Sequence, residues 1–152
     1  MPEKETLRRA RADKRAGKSP TTQAGEFVRE EIHHVREGKH GARSAKQAIA
    51  IGLSKARRAG VDLPSPPASA TASTKRSAAS ARRAAASGRK RSTKRARASL
   101  RKLKRESRRA ASHEALSRQA TSAARRRPRS ARRAAAKKAA RTRSRRHSGS
   151  SR

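Results

Sequence analysis

Basic side chains recur along this chain in pairs and triplets, set among Ala and Ser. STKR occurs at 73–76 and again at 92–95, and SARRAAA occurs at 80–86 and again at 130–136. Of the 45 basic residues, 32 are Arg and 13 Lys. Arginine presents a planar fork that matches phosphate oxygens two at a time, so the chemistry this pattern suggests is phosphate binding along an anionic polymer. The candidate contacts are Lys46, Arg57 and Arg58, then Lys75, Arg76, Arg82, Arg83, Arg89, Lys90, Arg91, Lys94 and Arg95. Further along come Arg101, Lys102, Lys104, Arg105, Arg108, Arg109, Arg125, Arg126, Arg127, Arg132, Arg133, Lys137 and Lys138. Such contacts release condensed counterions, which makes binding steeply dependent on salt.

Other chemistries find little support. There is no Cys, which removes disulfides, thiolate catalysis and thiolate-bound zinc. His33, His34 and His40 are read as surface and helix-end groups, since adjacent histidines on a helix point about 100° apart and no Cys completes a tetrahedral set. No convergent Ser, His and Asp set and no Gly-rich phosphate loop stands out. No catalytic residue, cofactor or metal is therefore expected. Phe27 is the only aromatic residue. Base-stacking platforms need several, so Phe27 reads as core. Sequence-specific readout is disfavoured as well: Asn is absent, and the connection at 38–43 is longer than the usual helix-turn-helix turn.

The charge that supplies this chemistry also limits the fold. Formal net charge is +35 over 152 residues, and self-repulsion on that scale opposes compaction. Of the 31% hydrophobic content, 33 residues are Ala and only 14 are larger, so a large single core is excluded. Residues 1–60 carry 15 basic and 7 acidic groups; residues 61–152 carry 30 and 3. The border is VDLPSPP at 61–67, which cannot continue a helix. MPEKETLRRA lacks the apolar run of a signal peptide, and the longest apolar run, 48–53, is far short of a membrane span. A soluble, cytoplasmic chain is expected.

The fold class expected is mostly α. A short helix over 2–16 precedes a helical hairpin, about 20–37 against 45–59. Ala24, Val28, Ile32 and Val35 form one stripe with Phe27 beside it, while Glu26, Glu30 and Glu37 line the opposite side. In the third helix, Ser44 and Gln47 make a capping box, and Gly60 suits the left-handed closing conformation. Ala48, Gly52 and Ala56 would let another helix approach closely. Beyond the linker, a basic helix is expected near 96–126, ended by Pro128. The domains are then a small helical domain at 1–63, a disordered linker and basic segment at 64–90, a basic helical segment at 91–127 and a disordered tail at 128–152.

TQAGEFVREEIHHVREGKHGARSAKQAIAIGLSKARRAG, residues 22–60, resembles a family of small, basic bacterial proteins of uncharacterised function, often labelled only as DNA-binding. KRESRRAASHEALSRQA, residues 104–120, is similar to that family's second helical block, and the Lys/Arg/Ala-rich tail resembles bacterial linker-histone-like proteins. The resemblance implies a bacterial nucleic-acid binder with no catalytic residues to carry over. The expectation is a non-enzymatic, largely sequence-independent DNA-binding protein of the nucleoid, with a second copy of the chain as a candidate partner through the N-terminal helices. The alternatives are an RNA-binding or ribosome-associated basic protein, and a protein-interaction adaptor localised by its polycationic tail.

Overall fold

Ser19 and Ser44 start the two helices around which the molecule is built. The computed structural model describes residues 2–88 and 92–149, apart from the side chains of residues 145–149. Helix α1 spans Lys4–Arg15, α2 Pro20–Arg36 and α3 Ala45–Arg58. Ser19 Oγ accepts the Thr22 N–H at 3.4 Å, and Pro20 occupies the first helical position. Ser44 Oγ accepts the Gln47 N–H at 3.2 Å. Gln47 Oε1 accepts the N–H of Arg43 at 2.7 Å, one residue before the cap, so the box closes one step wider than its simplest form. After α3 the Val61 N–H bonds Ala56 O at 3.1 Å and Gly60 adopts φ 85°.

Helices α2 and α3 pack against each other, and α1 lies against α2. Contact between α2 and α3 is unusually close at Gly52, where an added Cβ would stand 2.7 Å from Val28 Cα and 3.0 Å from Phe27 O. Ala45, Ala48 and Ala56 are buried on the same face of α3. Small residues thus do what large apolar ones do elsewhere: they bring backbones together. One apolar cluster joins Ala10, Ala24, Phe27, Ala56 and Leu63, with Leu7, Leu53 and Val61 at its edge.

The second cluster contains a segment from far along the chain. Ile32, Val35, Ala42 and Ala48 pack with Ala110 and Ala111, and Val28 and Leu116 lie against them. The Gly41 N–H bonds Leu103 O at 2.9 Å and the Ala42 N–H bonds Ser107 O at 3.1 Å. A side chain at Gly41 would overlap the Glu106 carbonyl, so only glycine allows this backbone pairing. Arg36 Nε donates to Ala111 O at 2.9 Å from the other side. The hairpin's core is completed by its own chain.

Several expectations change accordingly. Residues 96–126 are not one isolated helix but α5 (Thr93–Lys104), a 3-10 turn (Arg108–Ala111) and α6 (His113–Arg125). Ser107 Oγ accepts the Arg109 N–H and Ser112 Oγ the Ala115 N–H, both at 3.1 Å, so each restarts the chain while Ala110 and Ala111 dock. Residues 64–90 were expected to lack order, yet α4 (Ala72–Ala86) forms there, capped by Thr71 and packed on α3. Its buried Ala78 and Ala81 are small enough to seat the helix without a visible apolar stripe. The tail, also expected to be disordered, contains α7 (Arg129–Gly149). High helix propensity of Ala and Arg suits that state. The compact units are Met1–Leu116 and Ser117–Arg152, so the first extends well beyond residue 63. Among the described residues every regular element is helical, in keeping with the expected mostly-α class.

Gly52→Ala should destabilise the chain by about 1–3 kcal/mol through overpacking. Gly25→Ala, which meets nothing within 4 Å, should stabilise α2 by about 0.5–1 kcal/mol. Urea unfolding followed by circular dichroism measures both.

Candidate nucleic-acid interface

The charge on the surface depends on which ionic groups the fold consumes. All seven Asp and Glu residues of residues 1–37 lie within 4 Å of a cationic nitrogen. Glu5 meets Arg8 at 2.9 Å, Glu26 meets Arg9 at 2.8 Å, Asp13 meets Lys18 at 2.6 Å, and Glu3 and Glu37 meet Lys39 at 3.2 and 3.1 Å. Glu30 and Glu31 share Lys55 Nζ at 2.8 Å each. Residues 1–37 carry nine Lys and Arg against these seven acids, whereas residues 38–152 carry 36 against three. Residues 1–37 are nearly neutral; everything after them is a polycation.

Lys55 was not singled out in the sequence, and Glu30 was read as part of an outward acidic stripe. Both readings change. The side chains of Glu30 and Glu31 are 2% and 1% exposed, beneath α3. Glu30 Oε2 also accepts the Glu3 N–H at 3.0 Å, which ties α1 to the pair. Burial by itself would raise the Glu30 carboxyl, but the hydrogen bonds from Lys55 and from the Glu3 backbone outweigh it and hold the group below the ordinary carboxylate range. Burial would likewise lower Lys55, and the hydrogen bonds to Glu30 and Glu31 overcome it and raise the ammonium above its usual value. This triad fixes the hairpin and is no part of a phosphate site.

The other predicted contacts divide by what they already hold. Lys46, Arg76, Arg83, Lys94, Arg95, Arg101, Lys102, Lys104, Arg105 and Arg109 are exposed in the first unit, as is Arg58. Arg125, Arg126, Arg127, Arg132, Arg133, Lys137 and Lys138 are exposed in the second. Arg57 and Arg82 have structural duties: Arg57 Nη2 donates to Pro64 O at 3.3 Å, and Arg82 Nη2 to Leu63 O at 3.2 Å and to Ser65 Oγ at 3.3 Å. Burial, then the like charge of Arg82, lowers the Arg57 guanidinium from its usual value. Lys75 Nζ is bonded to Ala68 O at 2.6 Å, and Arg108 lies over Gly38. Arg89, Lys90 and Arg91 lie outside the described residues.

Two arrangements escaped the sequence reading. Lys94, Arg97, Arg101 and Lys104 recur at three- and four-residue intervals, so they share one face of α5 with the exposed Leu100. The interval was the available signal, and Arg97 was missed. On α7, Arg129, Arg141 and Arg143 join Arg132, Arg133, Lys137 and Lys138; at 100° per residue these cations surround the axis. The histidines also differ from expectation. His33 is exposed, but His34 and His40 turn inward beside Glu31.

Residues 11–66 match the model of a family of unknown function, DUF6496. The match takes in α2, α3 and part of α1, covers a little over a third of the chain, and includes the 22–60 stretch but not 104–120. No curated protein and no solved structure is detectably similar to the chain. Among the described residues, no helix is long and apolar enough to cross a membrane.

Lys55→Met should cost about 3–5 kcal/mol at neutral pH, because two carboxylates stay buried without their cation. In the parent chain Glu30 is depressed on folding, so its contribution is present above the unfolded-state value of about 4.3 and is lost as pH falls through the lower folded value. The raised Lys55 contributes below about pH 10.4 and loses that contribution as pH rises through its folded value. Thermal midpoints across pH 2–12 should show a plateau between these limits, flattened at both ends in the variant.

Proposed function

We propose that this chain is a non-enzymatic, largely sequence-independent DNA-binding protein associated with the bacterial nucleoid, gripping the phosphate backbone through exposed Arg and Lys. The segregation of charge carries this reading. Acidic groups are consumed inside or beside α1 and α2, and cations from residue 38 onward outnumber acids by 36 to three. A surface kept only for solubility would mix both signs. Here one sign accumulates on helices whose cations face solvent, and such a body attracts any dense polyanion.

Helix α7 supports the sequence-independent part. Cations on every side of its axis suit electrostatic tracking of phosphates better than insertion of one reading face into a groove. The resemblance of the N-terminal segment to small basic bacterial proteins supports DNA and the nucleoid as the setting. Arg and Lys supply position and affinity in this arrangement; no set of base-reading side chains is required.

Affinity for duplex DNA should fall with a log–log salt slope of about −0.9 per phosphate neutralised. Removing residues 117–152 takes away 14 cations and no acid while keeping the unit that ends at Leu116. The slope should become several units shallower and the affinity at low salt should drop at least tenfold. Fluorescence anisotropy with duplex DNA, duplex RNA and single strands at matched salt reads this. Undiminished affinity after truncation would refute the tail's role, and stronger binding to RNA would overturn the choice of DNA.

A further inference from the structure

Glu31 and His34 are three residues apart on α2 and therefore share a face. Gly38, at φ 77°, reverses the chain just past the helix, and His40 comes back over that face. One carboxylate oxygen of Glu31 and one nitrogen from each imidazole then lie within 4.8 Å of one another. The three side chains are 1%, 13% and 9% exposed.

Hydrogen bonding around the rings explains why this is more than crowding. His40 Nδ1 lies 3.0 Å from Gly41 O, and a carbonyl only accepts, so this nitrogen carries the proton. In the neutral ring Nε2 is then a lone pair, and it faces Glu31 Oε1 at 3.3 Å. Two electron-rich atoms meet there, and Glu31 Oε1 receives no hydrogen bond. His34 Nε2 lies 2.8 Å from Glu3 Oε1, which places the proton on Nε2 and leaves Nδ1 as that ring's lone pair. Each imidazole is held on one nitrogen by an oxygen acceptor, as metal-binding histidines are, and the other nitrogen of His40 faces Glu31. Glu30, Glu31 and Lys55 leave one net negative charge beside them.

We propose that Glu31, His34 and His40 form a three-ligand site for a borderline divalent transition ion, Zn²⁺ foremost. Two imidazole nitrogens and one carboxylate suit that ion's softness better than Mg²⁺ or Ca²⁺, which prefer all-oxygen sets. Ligand atoms around tetrahedral Zn²⁺ stand about 3.3 Å apart. The His40–Glu31 pair already has this spacing, and the third ligand needs only a side-chain adjustment. A cleft of about 220 Å³, lined by Glu3, Glu30, Lys39 and other residues, reaches the site at His34 alone; Glu31 and His40 do not line it. The ion would clamp the end of α2 to the 39–42 loop, the same loop that holds Leu103 and Ser107.

The test uses the full-length chain, freed of metal with a chelator. Co²⁺ should bind at one per chain with a strong visible band of four-coordinate geometry, and Zn²⁺ should displace it. Zn²⁺ at micromolar concentration should raise the thermal midpoint, and Mg²⁺ at the same concentration should not. His34→Ala and His40→Ala should each weaken Zn²⁺ binding more than tenfold. His33→Ala should leave it unchanged, and Glu3→Gln should weaken it about tenfold. If either histidine variant fails to fold, the Co²⁺ band of the unaltered chain still decides. A weak six-coordinate spectrum, equal binding by all variants, or a midpoint indifferent to Zn²⁺ would overturn the site.

Discussion

One ammonium group shared by two buried carboxylates organises this molecule. Lys55 reaches from α3 to Glu30 and Glu31 on α2, and Glu30 holds the backbone N–H of Glu3 at the start of α1. Three helices meet at this point. In a chain with so much positive charge, an arrangement that consumes both carboxylates inside the fold has a second effect: little negative charge remains to offset the cations outside. Stability of these helices and polarity of the whole chain follow from the same placement.

Around that point, packing works through closeness. Phe27 is the largest fully buried side chain, and most of the remaining core is Ala, with Gly52 pressed against the backbone of α2. Small residues yield little burial each, so contact must be made with backbone atoms and spread over several elements. This is why Ala110 and Ala111 are drawn in from beyond the linker, and why α4 can settle on α3 through Ala78 and Ala81. A basic, alanine-rich sequence builds a folded unit by accumulating narrow contacts.

That mode of packing also explains what the sequence revealed. Helices α2 and α3 were legible to within a residue or two, because Ser19, Ser44 and Gly60 mark their ends and an apolar stripe runs along each. Helix α4 was not, since alanine reads the same buried or exposed. The docking of residues 103–116 left no periodic trace either, because it rests on backbone hydrogen bonds at Gly41 and Ala42. Glu30 was misplaced because charge usually marks the solvated face of a helix, and here Lys55 reverses that rule. For the candidate interface, composition set the expectation of a polyanionic ligand but not which arginines are already engaged; Arg57 and Arg82 hold the linker, and only their neighbours in space show it. The inward turn of His40 depends on the reversal at Gly38, which spacing alone does not fix.

The seating of Ala111 beside Val35 has a consequence for biosynthesis. The hairpin is finished when residue 58 has been made, but its last wall arrives 53 residues later. At about 5–20 residues per second, the ribosome needs roughly 3–11 seconds to supply it. Throughout that interval the nascent hairpin carries an open apolar seam, and the 53 residues being made meanwhile add 11 arginines and only two acids.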